Sequence, residues 1–360
     1  MNKTIFSFII VMTTLCVVSG KNTVIVNPAD AFSRTDIGDT ENEGYKKADF
    51  KPLAKTKYGV GFHWTTWTAP KSGEMTTFEE AVNNFDVKRF VDQVEECGAG
   101  HVLFPICHII QHVVMPHPVI DRILPGRTCK RDLIMEIADA LQMRGIELIL
   151  YYNPCAPGHA WDKEWAAAVF PDKSNPQEYF QNAIEIIRYI GERYGKKFIA
   201  FWMDGGWDLI KDFPFEEMTK AAKAGNPERL CTYNNSIEIY KAYTPYQDYW
   251  WGEGVRLNYI PRDGENPQGS HFTPESKLPW YNFVDWHPDY MLKQRCGEWG
   301  LQMHTRDLDW PAPDVQSVSI FLDRFLERGG AVTFNLFIWR DGEIYDEDLE
   351  VMKKLKALYR

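Results

Sequence analysis

The chain has little with which to hold a metal or a polyanion. Its seven cysteines form no CxxC and no zinc-like pairing, so the common signatures of a structural zinc site or a dithiol redox centre are missing. His112, His117 and Asp121 stand at intervals that share no helical face, and neither a metal nor a cofactor is expected. Lysine and arginine number 40 against 50 acidic residues, for a formal net charge of −10. That balance excludes nucleic acid or an anionic membrane as a partner recognised through a basic surface. There is no internal repeat and no low-complexity tract. After the first twenty residues no apolar run approaches the roughly twenty residues that a membrane helix needs, so no span is expected.

The first twenty residues do carry an apolar run, Phe6 to Val18, preceded by Lys3 and followed by Ser19-Gly20. This is the pattern of a secretory signal peptide, which predicts a secreted or periplasmic chain. Cys16 is preceded by Leu15 rather than by the small residue that lipid attachment favours, which argues against a lipoprotein anchor. Removing the leader, with Lys3 its sole charge, makes the chain one unit more acidic. Cys97, Cys107, Cys129, Cys155, Cys231 and Cys296 remain. In an oxidising compartment they allow one or more disulfides in any of fifteen connectivities, or none if they are buried thiols.

What is present is a rhythm. Residues 21–55 read as a polar, loosely docked N-terminal extension, with Ser33, Asp36, Asp39, Glu41 and Glu43 crowded together. From Tyr58 on, short β-rich runs alternate with amphipathic stretches, as in a parallel sheet wrapped by helices. Strands are predicted at Tyr58–His63, His101–Ile106, Ile146–Tyr151, Phe198–Met203, Arg229–Tyr233, Asp248–Trp251, Trp280–Val284 and Ala331–Leu336. Helices are predicted at Val87–Cys97, Lys130–Arg144, Pro176–Tyr194 and Val315–Arg328, each followed within two residues by glycine. Eight strands in an α/β rhythm are the number of a TIM-type (β/α)8-like barrel, here a single domain over residues 56–360.

In a barrel the chemistry sits where strands end. The fourth predicted strand ends Trp202-Met203-Asp204-Gly205-Gly206-Trp207. An Asp there brings its carboxylate to the barrel mouth, with two glycines giving room for close approach. It is also placed to cap a following helix. A carboxylate at the mouth can attack an anomeric carbon while a second carboxyl serves as acid and then base, the pairing of a retaining glycosidase. Thirteen tryptophans and seventeen tyrosines suit either sugar stacking or core packing.

The chain resembles the α-L-fucosidases of glycoside hydrolase family 29. Tyr58-Gly59-Val60-Gly61-Phe62-His63-Trp64 is similar to that family's first-strand motif, K/R-F-G-I-F-I-H-W-G, whose His contacts the sugar. Ala99-Gly100-His101-Val102-Leu103, Lys130-Arg131-Asp132-Leu133 and Leu150-Tyr151-Tyr152 resemble its second strand, its R-D-L helix start and its L-Y-Y third strand. Trp202-Met203-Asp204-Gly205-Gly206-Trp207 is similar to W-F-D-G-G-W, whose Asp is the nucleophile. Gly329-Gly330-Ala331-Val332-Thr333-Phe334-Asn335 and Asp341-Gly342-Glu343-Ile344 resemble the closing K-G-G-N-L-L-L-N and D-G-x-I.

The resemblance implies a retaining exo-glycosidase acting on terminal α-L-fucosyl residues, with Asp204 as nucleophile and a fucosylated glycan or polysaccharide as its carbohydrate partner. It implies sugar contacts from His63 and His108, with Trp64, Tyr152, Trp202, Trp207 and Trp251 as further candidates. Core packing is the simpler reading of Trp202, which lies within its strand. The acid/base is assigned to Glu253, beside Trp250 and Trp251 and between two glycines, with Glu298 and Glu275, then Asp263 and Glu265, as alternatives.

Three departures bear on activity. Cys107-His108-Ile109-Ile110 stands where the family carries His-His-Asp-Gly, leaving one His of a pair unless His112 shifts in. Pro279-Trp280 is followed by Tyr281 where part of the family has Glu, and no C-terminal β-sandwich is expected before Arg360. An α-L-galactosidase of the same mechanism and an inactive carbohydrate-binding homologue therefore stand as alternatives.

Overall fold

The strands alternate between two hydrophobic environments, and that alternation organises everything above it. The computed structural model describes residues 45–108, 110–153, 162–205, 212–234, 244–249, 285–286, 314–327 and 330–360, all within the compact unit Ile37–Arg360. Among them are the strands β1 Tyr58–Phe62, β2 His101–Cys107, β3 Glu147–Tyr152, β4 Ala200–Met203, β5 Leu230–Tyr233, β6 Asp285–Trp286 and β7 Val332–Leu336. They form one parallel sheet in the order β5-β4-β3-β2-β1-β7-β6. The last strand lies beside the first, from Tyr58↔Val332 to Phe62↔Leu336. This is what a rolled sheet requires, and the architecture is a (β/α)8-like barrel.

Six predicted strands coincide with β1 to β5 and β7 to within a few residues. Of the sixth, predicted at Asp248–Trp251, only Asp248 and Tyr249 are described, and they are not in a strand. The Asp248 N–H donates to Cys231 O at 2.8 Å, but its carboxylate takes the Cys231 N–H at 2.7 Å, so a side chain occupies the place of a ladder bond and Asp248 and Tyr249 form a bend. Trp250, Trp251 and the strand predicted at Trp280–Val284 lie outside the described residues; β6 begins just after the latter and pairs with β7.

Leu103, Ile149, Tyr151, Ala200, Trp202 and Leu230 belong to one buried cluster, the barrel interior. Their neighbours Val102, Phe104, Leu150, Tyr152, Phe201 and Met203 belong to the other, under the helices. Period-two alternation along each strand produces both. Four long helices, Val87–Glu96, Leu133–Gln142, Gln177–Tyr194 and Val315–Leu326, match the predicted spans, and a fifth, Asp346–Tyr359, forms where no span is predicted. Asp86, Asp132 and Asp314 cap three of them through backbone N–H groups, each cap worth about 1 kcal/mol.

Residues 45–55, which composition groups with a loosely docked extension, are held firmly. Phe50 and Leu53 are buried in the barrel-interior cluster. Tyr45 Oη and the Ala48 N–H donate to the Asp248 carboxylate, which also pairs with Lys223 Nζ at 2.8 Å. Burying two such side chains is worth roughly 1.5–3 kcal/mol each, enough to order a short segment of poor intrinsic periodicity.

His101 crosses the interior. The Thr56 hydroxyl donates to Leu53 O, so it accepts from His101 Nδ1 at 2.6 Å, and His101 Nε2 then accepts from Thr333 Oγ1 at 2.8 Å. Room for the ring comes from Gly59, where any Cβ would lie 2.2 Å from both the His101 ring and its carbonyl oxygen. Burial pushes His101 down to about 3. His117 accepts from the Ile120 N–H through Nδ1, donates to Ile186 O through Nε2, and is pushed down to about 4.

The folded state therefore refuses protons that the unfolded chain takes up below about 6.5. A depressed histidine contributes stability that is present above the unfolded value and lost as pH falls toward the folded one. Buried Asp348, raised well above its ordinary range, acts in the opposite sense, but His63, His108 and His112 are lowered as well. One pH unit between folded and unfolded titration is worth about 1.4 kcal/mol. The unfolding free energy from urea titration should accordingly fall between pH 7 and 4.5, by an amount on the order of a few kcal/mol, and the urea midpoint should fall with it; a flat or rising midpoint would contradict this.

Cys97, Cys107, Cys129 and Cys231 are buried free thiols, while Cys155 and Cys296 lie outside the described residues. Burial pushes the thiols of Cys107 and Cys231 up to about 12, so none of the four should react quickly in the native protein. Thiol titration in denaturant without reductant should count at least four. A count below four would mean that buried thiols pair after all.

Candidate active site

The interior parity carries upward past the strand ends, and the side chains that it delivers there are polar. β1 ends with interior Gly59 and Gly61 followed by His63, β3 continues to Tyr151 and Asn153, β4 to Asp204, β5 to Asn234 and β7 to Asn335. The strands extend toward this level through backbone bonds from Asp204 N to Tyr152 O and from Asn234 N to Met203 O.

β2 alone would miss. Its pairing with β3 shifts between Pro105 and Cys107, a bulge that sends both Ile106 and Cys107 to the outer core and restores His108 to the inner face. Cys107, at the family's first His position, thus points outward, its thiol donating to Asn153 O at 3.4 Å.

Asp204 is partly buried and accepts four hydrogen bonds. Oδ1 takes Asn234 Nδ2 at 2.7 Å and the Gly205 N–H at 2.8 Å. Oδ2 takes the Tyr151 hydroxyl in a short contact and Asn153 Nδ2 at 3.4 Å. Gly205 has φ +67, a conformation that L side chains rarely adopt, so glycine is required just after the carboxylate. Donors from β3 and β5 on opposite sides fix the plane and direction of the group. Preorganised dipoles of this kind cost no rearrangement when a reaction begins.

Two imidazoles stand close by. His63 and His108 meet edge to face with centroids 5.2 Å apart, and each ring packs against Tyr151 at 5.5 and 5.7 Å. His63 Nδ1 is 2.8 Å from Asn335 Oδ1. Desolvation holds both rings below the ordinary histidine range, opposed by the Asp204 charge; for His108 the neighbouring His63 adds to the lowering. Two neutral rings, two or more amides and one oriented carboxylate suit a neutral, polyhydroxylated ligand. Arg340 stiffens the rim, its guanidinium donating to the carbonyls of Thr66, Thr68, Thr76 and Thr77 in the loop after β1.

Of the residues singled out from sequence, Asp204, His63 and His108 are brought together. Trp202 lies one layer below, fully buried, its ring 4.7 Å from that of Tyr151. Trp64 is 1% exposed and packs against Phe78, Phe85 and Phe104, with its indole N–H donating to Arg340 O. It faces the outer core because it is the residue after an interior-facing His. Tyr152 is likewise an outer-core residue, its hydroxyl accepting from Gln111, and the tyrosine at the carboxylate is Tyr151. His112 packs against Phe78 and Cys129 rather than entering the site. Trp207, Trp251 and Glu253, with the alternatives Glu298, Glu275, Asp263 and Glu265, lie outside the described residues. Sequence reading did not single out Tyr151, Asn153, Asn234 and Asn335 as site residues; counting in twos from Gly61 and Ile149 would have flagged Tyr151 and Asn153.

The sequence model of the α-L-fucosidase family matches residues 33–250. The chain belongs to the α-L-fucosidase family. It is thus a glycoside hydrolase, and solved fucosidases share its fold. The α-L-fucosidase AlfC from Lactobacillus casei, in complex with α-L-fucose product, is 17% identical with a TM-score of 0.60, the match covering 86% of this chain and 98% of that one. An α-L-fucosidase of glycoside hydrolase family 29 from Bacteroides thetaiotaomicron is 16% identical with a TM-score of 0.63, over 89% of this chain and 75% of that one. A bacterial fucosidase bound to an iminocyclitol inhibitor is 15% identical with a TM-score of 0.62, over 90% and 77%. No curated protein matches the chain. Among the described residues no helix is long and apolar enough to cross a membrane.

Proposed function

We propose that this fucosidase-family hydrolase is a secreted retaining exo-enzyme that releases terminal α-L-fucosyl residues, with Asp204 as its nucleophile. The observation that carries the reading is the Asp204 carboxylate at the end of β4, held by donors from β3 and β5 beside His63 and His108. In the first step an Asp204 oxygen bonds to the anomeric carbon as the glycosidic C–O bond breaks, and the acid/base carboxyl gives its proton to the departing oxygen. In the second, water attacks the same carbon, loses its proton to that carboxylate, and frees Asp204. Glu253 is proposed for the acid/base on its sequence position. Secretion rests on the leader at residues 1–20.

Among the fold relatives, the Lactobacillus casei enzyme is solved with α-L-fucose product, and a mutant of it with 4-nitrophenyl-α-L-fucopyranoside and with Fucα(1,6)GlcNAc. Those ligands define the first substrates to try. One observation favours a second reading: with Cys107 turned outward, the first position of the family's His pair brings no imidazole to the mouth among the described residues, which suits a related sugar such as α-L-galactose.

The purified mature chain should release nitrophenol from the α-L-fucoside faster than from the α-L-galactoside, and proton NMR should show α-L-fucose as the first-formed anomer. A β-first product would overturn retention. Preference for the galactoside would select the second reading, and binding without turnover on any α-L-glycoside would leave a carbohydrate-binding homologue.

A further inference from the structure

We propose that Asn335 is a positioning residue that locks His63 in its Nδ1-protonated neutral form, so that Nε2 presents a lone pair and accepts a hydrogen bond from a sugar hydroxyl. The sugar as ligand rests on the proposed function; the lock itself does not. Asn335 and His63 come from adjacent strands, β7 and β1, whose parallel register runs from Tyr58↔Val332 to Phe62↔Leu336. Both side chains face inward and both residues are buried, 1% and 8% exposed. The contact is short, 2.8 Å from His63 Nδ1 to Asn335 Oδ1. An amide oxygen can only accept, so the proton of that bond belongs to the ring. A neutral imidazole has a single N–H, and placing it on Nδ1 leaves Nε2 as an acceptor.

Burial among its neighbours keeps His63 in the neutral form. His108 from the end of β2 and Tyr151 from β3 pack against it, and Asp204 from β4 is the charged group that acts on it. Desolvation lowers the His63 pKa, opposed by the Asn335 hydrogen bond and then by the Asp204 charge, which both favour the imidazolium, and Asn335 provides its acceptor without adding a charge. An aspartate at position 335 would bond Nδ1 equally well and would stabilise the protonated ring, turning Nε2 into a donor. The choice of amide over carboxylate therefore decides what the ring offers to a ligand.

Two measurements test this. In protein labelled with 15N-histidine, long-range proton–nitrogen NMR should show His63, assigned by its absence in His63→Gln, with its proton on Nδ1. In Asn335→Ala the proton should redistribute toward Nε2. On 4-nitrophenyl α-L-fucoside, Asn335→Ala should lower kcat/KM by about tenfold or more, chiefly through KM, as expected when one hydrogen bond to substrate is misaligned. Asn335→Asp should recover part of that loss at alkaline pH and move the acid limb of the pH profile to higher pH than in the parent.

A proton on Nε2 in the parent protein would overturn the proposal, because the amide would then be donating. So would an Asn335→Ala variant with the parent's tautomer, KM and pH profile, or an Asn335→Asp variant that tracks Asn335→Ala at every pH. If the parent turns over no α-L-glycoside, the functional reading fails, and the NMR arm still decides the lock on the parent protein alone.

Discussion

Asp204→Gly is expected to lower kcat on an aryl α-L-fucoside by at least about three decades, roughly 4 kcal/mol of transition-state stabilisation, while the chain remains folded. The loss should be large because in the proposed mechanism the side chain supplies the bond-forming oxygen itself. It should be clean because Asp204 is only partly buried and is not a member of either hydrophobic cluster. Tyr151, Asn153 and Asn234, relieved of their common acceptor, stand at the mouth of the barrel, where water can replace the carboxylate. Circular dichroism and the urea midpoint check the fold, and single-turnover kinetics checks the chemistry. Azide, small enough to enter the space left by the carboxylate, should restore release of the nitrophenol and yield a fucosyl azide of inverted anomeric configuration. A glycine variant with near-normal turnover would end the assignment.

Glu253→Ala is expected to slow cleavage of a natural fucosylated glycan by at least about a hundredfold while sparing the glycosylation step of a good leaving group. The partner of the nucleophile must sit roughly 5 to 5.5 Å away in a retaining enzyme, hold a proton near neutral pH and move with little hindrance. Glu253 stands between Gly252 and Gly254 and after Trp250-Trp251, a sequence setting that offers apolar neighbours and backbone room. The nearby carboxylate of Asp248 does not compete, since it is engaged by Tyr45, Ala48, Lys223 and Cys231 beside a segment that packs into the barrel interior. Loss of the acid should also flatten one limb of the pH profile. If both the profile and the leaving-group dependence are unchanged, the role passes to Glu298 or Glu275, and the same substitution at each decides between them.

How far the sequence alone reaches is visible in individual residues. The positions of β1 to β5 and β7 follow from apolar runs bounded by polar turns, and the ends of the long helices from amphipathic stretches stopped by glycine, because both are local properties of the chain. Asp204 was legible for the same reason: a charged residue at the end of an apolar strand, before glycines, has few places to go. Even Asn335 and His63 were visible as parts of motifs, though not as partners, since 272 positions separate them and only the parallel pairing of β7 with β1 makes them neighbours.

What the tertiary structure decided was chiefly which face each side chain takes. Strand periodicity is two, so one extra residue reverses every assignment beyond it. The bulge between Pro105 and Cys107 turns Cys107 outward and His108 inward, a distinction that no property of the pair Cys107-His108 itself contains. The same rule separates Tyr151, at the carboxylate, from Tyr152, in the outer core, and removes Trp64 from the site although it adjoins His63. The docking of Phe50 and Leu53 was hidden for another reason. Composition describes an average over a segment, whereas burial is decided by two side chains that happen to meet the interior of a barrel formed by residues far along the chain.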